Sequence, residues 1–309
     1  MNSILNKKVF VIIVTYNGEQ WIDKCLSSLR ESSVPLEVYA LDNCSTDNTV
    51  SAIRTRYPEV NLIETGSNLG FGKANNIGLK IAIEKNADFV FLLNQDAYFL
   101  PDTMQALLIA YQNNPEYGIL SPIHLHPKHG GLEWYFSTYV VPEKCKEFYS
   151  DIYMRKPKEI YELPFVNAAA WLIPVHYLKI IGGFDPLYPH YGEDEDYCSR
   201  TLYKKIKIGV VPSSIIYHDG EVKNWETVKF NLKRQLIVVF IELKNIQLSY
   251  KFLLLNFLKT KFDRCVYLLI FRKWKELFFT IKLTFTSVTY FRKISKSRKE
   301  ARTSMAYLK

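Results

Sequence analysis

VFVIIVT at residues 9–15, running straight into YNG at 16–18, decides the fold. An unbroken apolar and β-branched run of this length describes a strand buried on both faces, as in the interior of a parallel sheet. The turn that follows puts Thr15, Tyr16 and Asn17 at its carboxyl end. Working outward, Trp21, Ile22, Cys25, Leu26 and Leu29 recur at helical spacing. A second strand is expected over 36–41, ending at Asp42. Ser45 or Thr46 should cap the next helix, with Val50 and Ile53 facing inward. Strands over 60–64 and 87–93 alternate with helices over 72–85 and 101–113, the latter with proline in its first turn. Such alternation implies a Rossmann-like α/β domain, its mostly parallel sheet covered on both faces. Functional groups then belong at the carboxyl ends of the strands. The polar clusters stand there: Thr15-Tyr16-Asn17, Asp42-Asn43, Asn68 and Asn94-Gln95-Asp96.

Residues 121–162 lose the periodicity and read as a long irregular excursion over the site. An apolar strand over 163–173, a helix over 194–204 and strands over 208–211 and 214–218 complete the body. Beyond Gly220 the text becomes basic, apolar and helical. A catalytic domain over 1–220 and a basic amphipathic helical region over 221–309 are therefore expected.

The chain has 309 residues, 48% hydrophobic and 23% charged, which argues for a sizeable core and against wholesale disorder. Its net charge of +9 is uneven. Residues 1–220 carry 20 Lys/Arg against 25 Asp/Glu, and residues 221–309 carry 20 against 6. An acidic body with a tail of balance +14 does not suit a nucleic-acid binder, and none is expected as partner. Cys25, Cys44, Cys145, Cys198 and Cys265 are odd in number and widely spaced, with no CxxC pair, which suits a reducing compartment. The N-terminal apolar run ends in a polar turn without a small-residue cleavage site, so it reads as a strand and not as a signal peptide. No uncharged apolar stretch reaches the length of a bilayer span.

Several of these clusters carry chemistry. Asp42, at a strand end beside Thr15-Tyr16-Asn17, can accept hydrogen bonds from a ribose or a base; an Asx turn is the plainer alternative. Asn68-Leu-Gly-Phe-Gly-Lys-Ala-Asn-Asn-Ile-Gly78 joins two early glycines, Gly70 and Gly72, to a helix start, where backbone can approach a phosphate. Asp96 is a hard oxygen donor for Mg²⁺ or Mn²⁺ bridging a diphosphate, or part of a turn before Pro101. Glu193-Asp194-Glu195-Asp196 is a costly run of acids unless a cation or a helix dipole compensates it; a solvated helix start is the alternative. His218 closes an apolar strand where a ligand of metal or phosphate would sit. No GxGxxG follows the first strand, where Thr15-Tyr16-Asn17-Gly18 stands instead, so a nicotinamide-dependent oxidoreductase is disfavoured. A non-catalytic scaffold is disfavoured by the retention of Asp96 and Asp194.

Taken in order, Val14-Thr15-Tyr16-Asn17, Asp42-Asn43-Cys-Ser45-Thr46-Asp47, the Asn68–Gly78 glycine segment, Asn94-x-Asp96, Gly182-Gly183-Phe184-Asp185 and Gly192-Glu193-Asp194-Glu195-Asp196 resemble the family-2 inverting glycosyltransferases of GT-A fold. The resemblance covers about residues 9–220. It implies a transfer from a nucleotide-diphosphate sugar, a UDP- or dTDP-sugar, to an acceptor hydroxyl with inversion. It implies donor contacts at Thr15, Tyr16, Asn17, Asp42, Asn68, Gly72, Asn76 and Asn94. Asp194 becomes the catalytic base and Glu193 an acceptor-positioning acid. Asp96 and His218 become the metal site for Mn²⁺ or Mg²⁺, although Asn94 replaces the first Asp of the family's DxD motif. The text around Asn94 and Gly182 is similar to rhamnosyl- and galactosyl-type enzymes of bacterial surface polysaccharide pathways. The acceptor would then be a saccharide, free or lipid-linked. The basic region would attach the enzyme, from the cytoplasm, to the inner face of the plasma membrane, with its apolar helices lying in the interface.

Overall fold

The computed structural model describes residues 2–220 and 230–309. The expected start of the basic region at 221 lies outside the described residues. After a short helix α1 (Asn2–Leu5), strand β1 (Val9–Thr15) forms the predicted interior strand. It lies between β2 (Leu36–Asp42) and β4 (Phe89–Leu93), parallel to both, and β3 (Asn61–Glu64) extends the sheet beyond β2. Side chains alternate across β1. Phe10 and Ile12 enter one core layer, while Val9, Val11 and Ile13 enter the other. Helices α2 (Glu19–Arg30), α3 (Thr49–Arg56) and α5 (Thr103–Asn113) cover the second layer, and α4 (Phe71–Glu84) covers the first. Gly78 lets α4 lie directly on β1, since a Cβ there would come within 2.7 Å of Ile12 Cγ2.

Among the described residues the sheet has nine strands, in the order β3, β2, β1, β4, β8 (Ala170–Pro174), β6 (Tyr117–Leu125), β9 (Lys207–His218) and β5 (Ala97–Phe99), with β7 (Tyr161–Glu162) on β9. Its two longest ladders, β1 with β2 and β6 with β9, are parallel. The neighbours of β8 run antiparallel to it, as β5 does to β9. Strand β6 occupies text whose period is hidden by Pro122 and His124.

Four local expectations are corrected. The two strands expected over 208–218 are one, because residues 212–214 are accommodated as a register shift opposite Pro122 and Ile123. The strand expected over 163–173 begins only at Ala170, and its end passes directly into α8 (Val175–Ile181). The excursion at 121–162 holds the end of β6, α6 (Trp134–Ser137), α7 (Phe148–Tyr153) and β7. The N-cap of α3 is Asn48, since Ser45 and Thr46 are engaged by Asp42 and Asn17.

Helix α9 (Glu193–Tyr203) precedes β9, and the C-terminal region forms α10 (Leu232–Lys244), α11 (Tyr250–Ile270) and α12 (Trp274–Glu300). Leu236, Val239 and Phe240 of α10 pack with Tyr188, Phe257, Leu283 and Ile294 in a third cluster. The chain then returns to the body, where Leu308 joins the first core layer.

Candidate active site

Register places the site. Thr15 pairs with Asp42 at the common end of β1 and β2. Asp42 is buried there and accepts from Thr15 Oγ1 at 2.9 Å, from Ser45 N–H at 2.9 Å and from Ser45 Oγ at 2.5 Å. Asn17, in the left-handed region at φ 47°, accepts from Thr46 N–H at 2.8 Å. The strand ends are thus tied into one rim. Tyr16 N–H donates to Gln95 Oε1 at 2.9 Å, and Gln95 Nε2 donates back to Tyr16 O at 3.1 Å. This latch joins the end of β1 to the turn after β4, and it leaves the Tyr16 side chain 46% exposed at the rim.

Asn68 Oδ1 accepts from Gly70 N–H at 2.9 Å, shaping the loop before α4. Gly72 is buried against Phe184 and Glu193, where a Cβ would lie 2.9 Å and 3.7 Å from their respective Cβ atoms. Asn76 is used on protein. Its Nδ2 donates to Phe184 O at 2.8 Å, and its Oδ1 accepts from Phe184 N–H at 2.7 Å.

Asn94 and Asp96 meet His218 because Ala97 pairs with His218 across β5 and β9. His218 Nε2 lies 3.5 Å from Asp96 Oδ1 and 3.4 Å from Asn94 Nδ2. Burial opposes charge on Asp96, yet the His218 ring outweighs it and holds the carboxyl below its ordinary value. Burial likewise opposes protonation of His218, and Asp96, Glu133 and Asp219 together raise it. Behind His218 stand His124 and Glu133, both buried. Ser121 Oγ donates to Pro122 O at 3.0 Å, so at 3.0 Å it accepts from His124 Nε2, which leaves a lone pair on His124 Nδ1. Among the described residues neither His124 Nδ1 nor His218 Nδ1 has a hydrogen-bond partner. Ligand atoms of His124, Glu133 and His218 all lie within 4.8 Å of one another. Two imidazoles with buried unpartnered nitrogens and the carboxylate of Glu133 make a donor set that suits a divalent cation, while Asp96 stands against the Nε2 side of His218.

The acid run begins α9 behind Gly192, whose φ of 87° only glycine adopts readily. Glu193 is buried and its carboxyl is pushed up to about 8, chiefly by burial and then by Asp194. Asp194 is half-buried. Burial raises it too, although backbone N–H groups, including that of Ala168, pull the other way. Glu195 is pushed up to about 7, by burial first and by Asp194 second. Asp196 is turned inward onto Arg200 and Lys244. The two halves of the site approach each other just before β8: Asn94 N–H donates to Ala169 O at 2.9 Å, and the adjacent Ala168 peptide acts electrostatically on Asp194, lowering it.

Sequence reasoning missed Gln95 as a latch, His124 and Glu133 behind His218, and Arg234 of α10, which acts electrostatically on Glu193 and stacks 3.5 Å over the Tyr191 ring. His124 and Glu133 sat in text without a period. Arg234 lay among basic residues that read as one undifferentiated tail.

The sequence profile of glycosyl transferase family 2 matches residues 10–179. An N-acetylglucosaminyl-diphospho-decaprenol L-rhamnosyltransferase of Mycobacterium tuberculosis is 30% identical over 234 residues, covering 67% of this chain and 75% of the relative. The dTDP-rhamnosyl transferase RfbF of Shigella flexneri is 23% identical over 216 residues, covering 69% and 70%. Among solved structures, a mannosyltransferase of Pyrobaculum calidifontis in complex with GDP-Man and Mn²⁺ superposes with a TM-score of 0.57, at 17% identity, over 92% of this chain and 87% of the other. That likeness extends to the GT-A fold. No finding supports a nicotinamide-dependent oxidoreductase.

Proposed function

Since the chain belongs to glycosyl transferase family 2 and is a glycosyltransferase, we propose that it moves a deoxyhexosyl or hexosyl group from a UDP- or dTDP-sugar to an acceptor hydroxyl, with inversion, in bacterial cell-surface polysaccharide synthesis. The observation that carries this reading is the convergence just before β8, where Ala169 O holds the Asn94–Asp96 turn and the Ala168 peptide beside it acts electrostatically on Asp194. Asp42, fixed by Thr15 and Ser45, and the exposed ring of Tyr16 offer acceptors and a stacking face to the nucleoside. Asn17, Asn68 and Gly72 shape the loops around the diphosphate, while Asn76 acts by clamping Phe184 and with it the peptide behind the sugar.

Asp96 and His218 would hold Mn²⁺ or Mg²⁺; such an ion, when bound, neutralises charge developing on the departing diphosphate. Asp194 takes the proton of the acceptor hydroxyl as that oxygen attacks the anomeric carbon from the face opposite the diphosphate. Its raised affinity for a proton suits a base working near neutral pH. Glu193 orients the acceptor. The relatives named for rhamnosyl transfer favour a deoxysugar donor and a saccharide acceptor, one of them on a lipid diphosphate. A lipid-linked acceptor places the enzyme on the inner face of the plasma membrane, held through its basic C-terminal region.

The test is a turnover screen over UDP-, dTDP- and GDP-sugars with Mn²⁺ or Mg²⁺, the product's anomeric configuration being read by NMR. Transfer from a UDP- or dTDP-sugar with inversion is expected. A product that keeps the donor's configuration would overturn the single displacement.

A further inference from the structure

Helix α9 is held at its start from an unexpected direction. Asp196, two residues beyond Asp194, has both oxygens committed in the interior. Oδ2 accepts from Arg200 Nε at 2.8 Å, and Oδ1 accepts from Lys244 Nζ at 2.8 Å. Lys244 is the last residue of α10, almost fully buried, and its ammonium also pairs with Asp185 and donates to Tyr307 OH at 3.0 Å. Ser297 of α12 bonds Asp185 and lies 2.9 Å from Tyr307 OH. Arg200 spends its other nitrogens on Ile181 O at 2.8 Å and Gly183 O at 2.7 Å. The final residues close the assembly: Gly183 N–H donates to Ala306 O at 2.8 Å, and Met305 N–H donates to Lys179 O at 2.9 Å. A Cβ on Gly182, at φ 91°, would strike the Ala306 backbone, and one on Gly192 would meet Ile237 of α10 at 2.9 Å.

Two buried carboxylates, Asp185 and Asp196, therefore face two buried cations, Arg200 and Lys244. One cation comes from the catalytic body and the other from the C-terminal region. Removing Lys244 leaves one buried negative charge in excess in the first turn of the helix that carries Asp194. Like charge at short range disfavours a second ionised carboxylate.

We propose that Lys244 is a positioning residue for sugar transfer. It fixes the start of α9 and balances Asp185 and Asp196, so that the C-terminal region, which lies beyond the family match at 10–179, completes the catalytic floor. The inference rests on the reading of Asp194 as base. The titratable groups on which Asp194 acts electrostatically are Glu193, Glu195 and Cys198 on its own helix and Tyr139 from the segment after α6. Those facing Asp196 are Lys244, Arg200, Tyr188 and Tyr307. Lys244 is the one cation in these two sets that the C-terminal region supplies.

The experiment uses the full chain carrying Lys244→Met, Tyr307→Phe, or Lys244→Met together with Asp196→Asn. Turnover is measured against pH, and donor KM is measured separately. Lys244→Met should move the acid limb of kcat upward by about one pH unit, a loss of roughly tenfold at pH values below the limb, with donor KM little changed. Tyr307→Phe keeps the charges and should leave the limb in place. The double variant restores the balance and should return the limb toward wild type. A folded Lys244→Met enzyme with the wild-type limb overturns the proposal. If that variant does not fold, the double variant decides: a wild-type limb supports charge balance, and a displaced limb or failure to fold refutes it. Failure of the underlying reading is seen separately, as an Asp194→Asn enzyme that still turns over.

Discussion

Asp194 occupies the second position of a helix whose first turn holds four carboxylates. The N-terminal end of a helix attracts negative charge, typically by 0.3–1 kcal/mol, but burial works against ionisation here and leaves Asp194 raised. Replacing it by Asn preserves size and removes the basic lone pair. Asp194→Asn should lower kcat by at least about a hundredfold and leave the donor dissociation constant nearly unchanged. Near wild-type turnover would end its role as base. A carboxylate that must be ionised to act, and whose affinity for protons is raised, gives activity that rises with pH. The acid limb of kcat should therefore lie above the ordinary carboxylate range, and a pH–rate profile checks it. Asp96 is the opposite case. His218 keeps it ionised, which suits a group that must meet a cation and not a proton. Asp96→Ala should lower kcat more than it weakens nucleoside binding, and excess EDTA should do the same to the wild type. Full activity under both treatments would show that the site works without a metal.

At the scale of elements, the strand ends were readable because buried parallel strands leave a plain signature and their turns concentrate polar residues. Thr15, Asp42 and Asp96 lie at carboxyl ends, as the alternation implied. What could not be read was pairing across long separations. His218 is brought to Asp96 by a three-residue strand, β5, too short to show a period. His124 is the last residue but one of β6, two positions after the proline that masks the strand. Asn76 looked like a donor contact, because nothing local shows that its amide meets a peptide more than a hundred residues away. That clamp makes a prediction. Asn76→Ala strands the N–H and the C=O of Phe184 in the interior, each costing about 1–3 kcal/mol when left unsatisfied. Denaturant unfolding should show a loss of about 2–6 kcal/mol, with the Asp194 pH limb of any folded fraction unaltered. A loss below about 0.5 kcal/mol, the range of ordinary surface changes, would mean that the clamp is not formed.

At the scale of the whole molecule, α11 and α12 carry a large apolar surface that the described residues leave exposed. Helices α11 and α12 each present two apolar stripes. One is buried in the third cluster, with Leu253 and Phe257 on α11 and Leu283 and Ile294 on α12. The other faces outward: Leu255, Leu258, Phe262, Val266 and Leu269 on α11, and Trp274, Phe278, Ile281, Phe285 and Val288 on α12, both at helical spacing. Phe262, Phe278 and Phe285 are 69%, 67% and 73% exposed. Lys259, Lys261, Lys275, Arg292 and Lys293 lie on the same helices and Arg272 and Lys273 in the turn between them, where the acids before Glu300 are Asp263 and Glu276. No described helix is long and apolar enough to cross a membrane. Exposed apolar stripes among basic residues fit the interface of an anionic bilayer, where each lysine or arginine near the surface contributes about 1 kcal/mol. The proposed membrane contact falls on the α11–α12 hairpin, because α10 and Leu308 pack into the body. Deleting the whole region would also remove Lys244, so point variants make the cleaner test. The full chain should co-sediment with vesicles containing phosphatidylglycerol and detach progressively as salt is raised. Phe262→Ser, Phe278→Ser and Phe285→Ser combined should weaken binding by about a hundredfold or more, given roughly 1.5–3 kcal/mol for each buried side chain. Turnover on a soluble acceptor should be retained, since none of the three touches the site. A wild-type chain that ignores anionic vesicles, or that forms a dimer dissolved by the same substitutions, would assign the hairpin to a protein partner instead.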